Sequence, residues 1–204
     1  MLTDTRFGEI RERLYKELLK ANLHYKIFWS LRTAPKEIAN IRNVYLSFFV
    51  MTMRSHHEIF CVSLHNVVKY DPDTANFQKI FNYIKSNQTL QNVFDLKKIG
   101  EMESTINSHK SLIERIAIAR NQYIAHNQIK KKHLSEQTNY KYKEGKKLLN
   151  DLNNILDEVS IKYDRKGYCK DDNDFLDVSP SLNIEEMLQD LTDYSKEQID
   201  NIII

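Results

Sequence analysis

The heptapeptide Arg120-Asn121-Gln122-Tyr123-Ile124-Ala125-His126 sets a permanent cation and a titratable base six positions apart. Upstream, Ile106, Ile113, Ile116 and Ala117 mark an apolar helical stripe that continues at Ile124. Arg120 lies seven residues after Ile113 and four before Ile124, so the periodicity puts it on that stripe. A guanidinium cannot shed its charge, and burying it unpaired costs several kcal/mol. Two readings stay open on spacing alone: the side chain pairs with a carboxylate or snorkels outward, or it grips an anion. His126 falls where the apolar pattern stops, which predicts a helix C-terminus. There the carbonyl dipole favours imidazolium and tunes the ring for acid–base work near neutrality. Six residues at about 100° each place His126 some 120° around the helix from Arg120 and about 9 Å along it. One regular helix therefore cannot present both to one phosphate. Either the last turn unwinds, or the same helix of a second chain supplies the missing half in a two-fold dimer.

The elements that must carry this segment are helical. Gly (4) and Pro (3) are scarce in the 204 residues, and sheets consume both in turns. Hydrophobic residues at 41% and charged residues at 28% suit one globular domain. Phe7, Ile10, Leu14, Leu18, Ala21, Tyr25 and Phe28 predict a first helix over Asp4 to Arg32. A second helix is predicted over Lys36 to Lys69, stopped by Asp71-Pro72-Asp73. Short pieces are expected at Asn76 to Ser86 and Leu90 to Lys97. A helix over Glu101 to Ala125, a loop over Asn127 to Gln137 and a helix over Thr138 to Tyr163 follow. Asp164 to Leu182 reads as a linker, and Asn183 as the cap of a last amphipathic helix carrying Ile184, Met187, Leu188 and Leu191. The expected architecture is an all-α antiparallel bundle over residues 1–165, with 166–204 as a linker and a helix packed on it.

Several chemistries drop out. No Gly-rich phosphate loop, dinucleotide fingerprint, nucleophile elbow or HExxH occurs. His57, Cys61 and His65 recur at four-residue steps, but the outer two lie about 12 Å apart along a helix and cannot share one ion. Neither metal nor cofactor is expected, and helix packing is the better account of these three. His56 and Glu58 are candidates to line a cleft over the motif. The two cysteines, Cys61 and Cys169, form no CxxC, which suits a reducing compartment. The first residues lack a basic start followed by an apolar run. Tyr45 to Met53, the strongest apolar run, is half the roughly 20 residues of a membrane span. A soluble cytoplasmic protein is expected, with no membrane partner.

Arg120-Asn121, four residues and His126 resemble the Arg-x(4–6)-His signature of HEPN domains, in which an Asn often follows the Arg. The wider stretch from Ser111 to Tyr163 resembles the abortive-infection AbiU-type branch, and the long first helices extend the likeness over Asp4 to Tyr163. The resemblance implies a bundle that dimerises through the motif helix, here Glu101 to Ala125, and often a metal-independent endoribonuclease. Arg120 would then steady the phosphorane, His126 would shuttle the proton, and Asn121 would orient the Arg or the phosphate. In some HEPN branches a modifiable Tyr stands two residues after the His. Here that position is Gln128, which speaks against that toxin–antitoxin chemistry.

A basic surface beside the motif agrees with an RNA substrate. Lys130, Lys131, Lys132 and His133 follow it directly, then Tyr140, Lys141 and Lys143, and Tyr142 is interleaved. Lysines attract phosphates, and aromatic rings stack on bases. An ordinary solvated face is the plain alternative. The acidic stretch from Asp171 to Asp200 reads either as a solvated C-terminal helix or as a segment that competes with RNA for this surface. Three functions follow: a defence or toxin-type ribonuclease with RNA and an antitoxin or defence-system protein as partners, a non-catalytic RNA- or protein-binding module, and a helical bundle without a site.

Overall fold

The computed structural model describes residues 4–33, 38–124, 140–164 and 186–193. All regular structure among them is helical: α1 (Thr5–Arg32), α2 (Ala39–Val44), α3 (Leu46–Val68), α4 (Phe77–Ser86), α5 (Gln88–Gln91), α6 (Leu96–Ser108), α7 (Lys110–Ile124), α8 (Tyr142–Asp164) and a further helical stretch over 186–193. The all-α reading holds.

α1 is the axis of the bundle. Its predicted stripe is buried as spaced, from Phe7 through Leu14, Leu18 and Ala21 to Phe28. Asp4 starts it, its carboxylate accepting the Phe7 backbone N–H at 3.0 Å. The same carboxylate takes Tyr83 Oη at 3.1 Å and Asn87 Nδ2 at 3.0 Å, while its carbonyl accepts Tyr163 Oη at 2.7 Å. One cap thus ties three helices together. α3 runs antiparallel to α1, because Phe28 meets His57 and Tyr25 meets Phe60. α8 also opposes α1, since Tyr25 stacks on Tyr142 and Asn22 bonds Asn153. The core gathers these three helices with Phe77, Phe81, Ile99, Leu112 and Ile116 from α4, α6 and α7.

Four predicted elements come out differently. The second helix is interrupted at Tyr45, whose backbone (φ −105, ψ 31) leaves the helical region before α3 begins. The piece expected at Leu90 to Lys97 is two elements. Asn87 Oδ1 accepts the Thr89 N–H and starts α5, and Asp95 Oδ1 accepts the Lys97 N–H and starts α6. The helix expected over Glu101 to Ala125 breaks at His109, between α6 and α7. There the Thr105 and Ser108 hydroxyls bond backbone carbonyls, and the His109 ring reaches Asp151 on α8 at 2.7 Å. The last long helix opens at Tyr142 rather than Thr138, because Tyr140 and Lys141 are not helical. Glu144 caps it by accepting the Lys141 N–H at 2.7 Å.

The loop over Asn127 to Gln137, the linker after Asp164 and the Asn183 cap lie outside the described residues. Within 186–193, Leu188 is buried beside Ile27 and Leu31 of α1, Ile38 and Phe49, with Leu191 packed against the same group.

Candidate functional site

α7 buries Leu112, Ile116 and Ala119. Arg120 is the next residue round, half-buried on the flank with Ile113 and Ala117. It therefore sits at the margin of the apolar stripe and not at its centre, because the buried line of α7 runs through Leu112, Ile116 and Ala119, beside the line the spacing predicts. The guanidinium is divided between two environments. Nη1 donates to Asn121 Oδ1 at 2.9 Å on the solvent side. Nε is shut off from solvent and has no hydrogen-bond partner among the described residues. A buried donor without an acceptor costs about 1–3 kcal/mol, so holding Arg120 in this place is costly to the fold.

The neighbour across the α3–α7 contact is His65, 9% exposed. Burial pushes its pKa below the ordinary value; the Arg120 guanidinium and Lys69 push it further, against Asp71. Arg120 and Lys69 thus bring positive charge to a His65 whose lowered pKa favours the neutral ring, with Asn121 bracing the guanidinium. The guanidinium's charge and its outer edge fit an oxyanion. The sequence pattern linked His65 only with His57 and Cys61 on its own helix. Its place beside Arg120 depends on how α3 and α7 pack, which no spacing within one helix encodes.

The remaining candidates disperse. Tyr140 is buried, with its Oη 3.1 Å from His57 Nε2 and its ring stacked on His57 at 20°. Phe60 and Trp29 close round it, so it serves the core and presents no open face to a base. Tyr142, 44% exposed, keeps a partly open ring although it stacks on Tyr25. Lys141 and Lys143 are exposed at the start of α8. Arg115 of α7 reaches Glu144 at 3.2 Å, which holds that start against the motif helix. The Lys141 N–H, and then Arg115, hold the Glu144 carboxyl below its usual range. His126, Lys130, Lys131, Lys132 and His133 lie outside the described residues.

His56 and Glu58 are engaged elsewhere. His56 Nδ1 lies 2.7 Å from His24 Nδ1, and Glu58 accepts Arg54 Nε at 2.7 Å. Cys61 Sγ lies 3.7 Å from His57 Nε2 inside the core, and burial lifts its thiol to about 12. Among the described residues no group of three His, Cys, Asp or Glu could hold a metal ion. None of the described helices is long and apolar enough to cross a membrane.

A HEPN family model, described as AbiU2, matches residues 4–196. No curated protein and no solved structure matches the chain.

Proposed function

The chain belongs to the AbiU2 family of HEPN domains, a family tied to abortive infection, and from that premise we propose that it is a metal-independent endoribonuclease of a defence or toxin-type system. The observation that carries the reading is the half-buried Arg120 guanidinium, anchored at the edge of α7 with Nη1 braced by Asn121 on the solvent side. That outer edge is the part a phosphodiester oxygen can reach. Arg120 offsets the charge that builds on the phosphorane, and the Asn121 carboxamide holds the guanidinium through Nη1. His126 takes the proton of the 2′-hydroxyl as that oxygen attacks the adjacent phosphorus, and a proton returns to the departing 5′-oxygen. The products are a 2′,3′-cyclic phosphate, which opens to a phosphate, and a 5′-hydroxyl.

Lys141 and Lys143, with Lys130, Lys131, Lys132 and His133, supply the sequence-blind attraction to the RNA backbone. The role of a stacking ring passes from Tyr140 to Tyr142. The 120° between Arg120 and His126 on a regular helix favours a cleft shared by α7 of two copies. A partner protein of the antitoxin type would hold such an activity in check.

The test is cleavage of an end-labelled RNA in EDTA. Arg120→Ala and His126→Ala should each lose at least 100-fold in rate, the usual scale for a charge stabiliser or a general acid–base, with the far-UV spectrum kept. An equal mixture of the two variants should regain activity if the cleft is shared. Parent-like cutting by both variants rejects the assignment. A parent that binds RNA without cutting it leaves a binding module of the same family.

A further inference from the structure

α2 and the first half of α3 carry apolar side chains that the described residues leave uncovered. Val44 is 76% exposed, Phe48 63% and Met51 69%, and Tyr45, Leu46 and Val50 lie beside them, each about half exposed. Two aromatic rings among six large side chains make a contiguous patch on the order of 600 Å², at the upper limit for the surface of a monomer and near the roughly 800 Å² that each partner of a stable complex buries. The core of the bundle does not need this face, because α3 turns Phe49 and Phe60 inward instead.

The pattern of the patch selects its occupant. Within α3, Phe48, Met51 and Ser55 follow steps of three and four, the seam of a helix pair. Laid antiparallel on itself about a two-fold axis between Phe49 and Val50, the seam pairs Phe48 with Met51 and Met51 with Phe48. Each large group faces a complementary one, as an isologous contact requires. A membrane surface would call for a rim of lysines and arginines. From Asn43 to Asn66 the charged residues are Arg54 and Glu58, which pair with each other.

We propose that this α2–α3 ridge is an interface between two copies of the chain, separate from the proposed cleft. Phe48 and His65, the neighbour of Arg120, are seventeen residues apart on one helix, about 25 Å at 1.5 Å per residue. Pairing through the ridge therefore leaves Arg120 free, and the inference stands whether or not the protein cuts RNA.

Sedimentation equilibrium of the full chain at about 50 μM, where an interface of this size forms readily, gives the test. Phe48→Glu with Met51→Glu should halve the parent's mass while leaving the far-UV spectrum intact, since both side chains are exposed. In a second measurement, Phe48→Cys mixed with Met51→Cys should form more disulfide-linked dimer under mild oxidation than either variant alone. A monomeric parent, or a doubly substituted variant of unchanged mass, overturns the proposal. So does a parent that stays monomeric yet co-sediments with phosphatidylcholine–phosphatidylserine vesicles, which would make the ridge a membrane face.

Discussion

A guanidinium offers five N–H donors in a fixed plane, and at Arg120 the surroundings use them unequally. Asn121 satisfies one on the outside, while the Nε is buried without a partner among the described residues, and the charge acts on His65 of α3. Replacing Arg120 by Lys would keep the charge and lose the planar fork, so geometry and charge are separable there. Histidines elsewhere in the bundle carry a pH signature. His57 is pushed down to about 4, by burial first and then by Arg32. His24 is also lowered to about 4, by burial and then by His56 and Lys20. The unfolded chain binds these protons near pH 6.5. Between that value and about 4 the unfolded state holds more protons, so stability rises with pH. The full contribution is present above pH 6.5 and is lost as pH falls toward 4. Urea unfolding should show a loss of about 1 kcal/mol or more between pH 7 and pH 5. His57→Gln should flatten that slope, and a stability independent of pH over this range would contradict the placement of these rings.

At the scale of the elements, close approach between α1 and α8 rests on Gly145. A Cβ built there would lie 2.7 Å from Tyr25 Cε2 and 2.8 Å from Tyr25 Oη. Tyr25 cannot retreat, because its hydroxyl donates to the Tyr142 carbonyl and its ring is held between Tyr142 and Phe60. On propensity alone, Ala in place of a helical Gly gains about 1 kcal/mol. Here overpacking outweighs that gain, and Gly145→Ala should destabilise by about 1–3 kcal/mol in denaturant titration. A stabilised variant would mean that α1 and α8 do not meet this closely. The break between α6 and α7 belongs to the same scale. His109 stops one helix and anchors the next to Asp151, which fixes the phase at which α7 presents Arg120.

For the molecule as a whole, residues 186–193 join the first helix to the last described one in sequence. Leu188 and Leu191 pack on Ile27, Leu31, Ile38 and Phe49, a cluster separate from the main core. Leu188→Asp should therefore release this stretch while the bundle stands. The expected result is stronger binding of a hydrophobic dye and an unfolding midpoint lower by a few degrees, the shift that about 1 kcal/mol produces in a domain of this size. A variant identical to the parent in both readings would show that the contact contributes nothing. The cluster lies at the end of α1 and the start of α3, beside the exposed ridge, so its loss should also enlarge the apolar surface there.

The sequence by itself determined the helical class, the stripe of α1, the stop after α3 and the family signature, because each depends on a local period, a cap or a short motif. Asp4, Asn76 and the Asp71-Pro72-Asp73 turn act within a few residues of themselves, and such signals can be read along one strand of text. The tertiary structure alone decided that Tyr140 is a core residue bonded to His57, that His65 stands beside Arg120, and that Arg120 lies at the edge of its stripe. Periodicity tells which side of a helix is apolar, but not which helix covers it. The His109 interruption belongs with these. It lies within an apolar helical pattern, and the contact of His109 with Asp151 on α8, with the local Thr105 and Ser108 bonds, sets where one helix ends and the next begins.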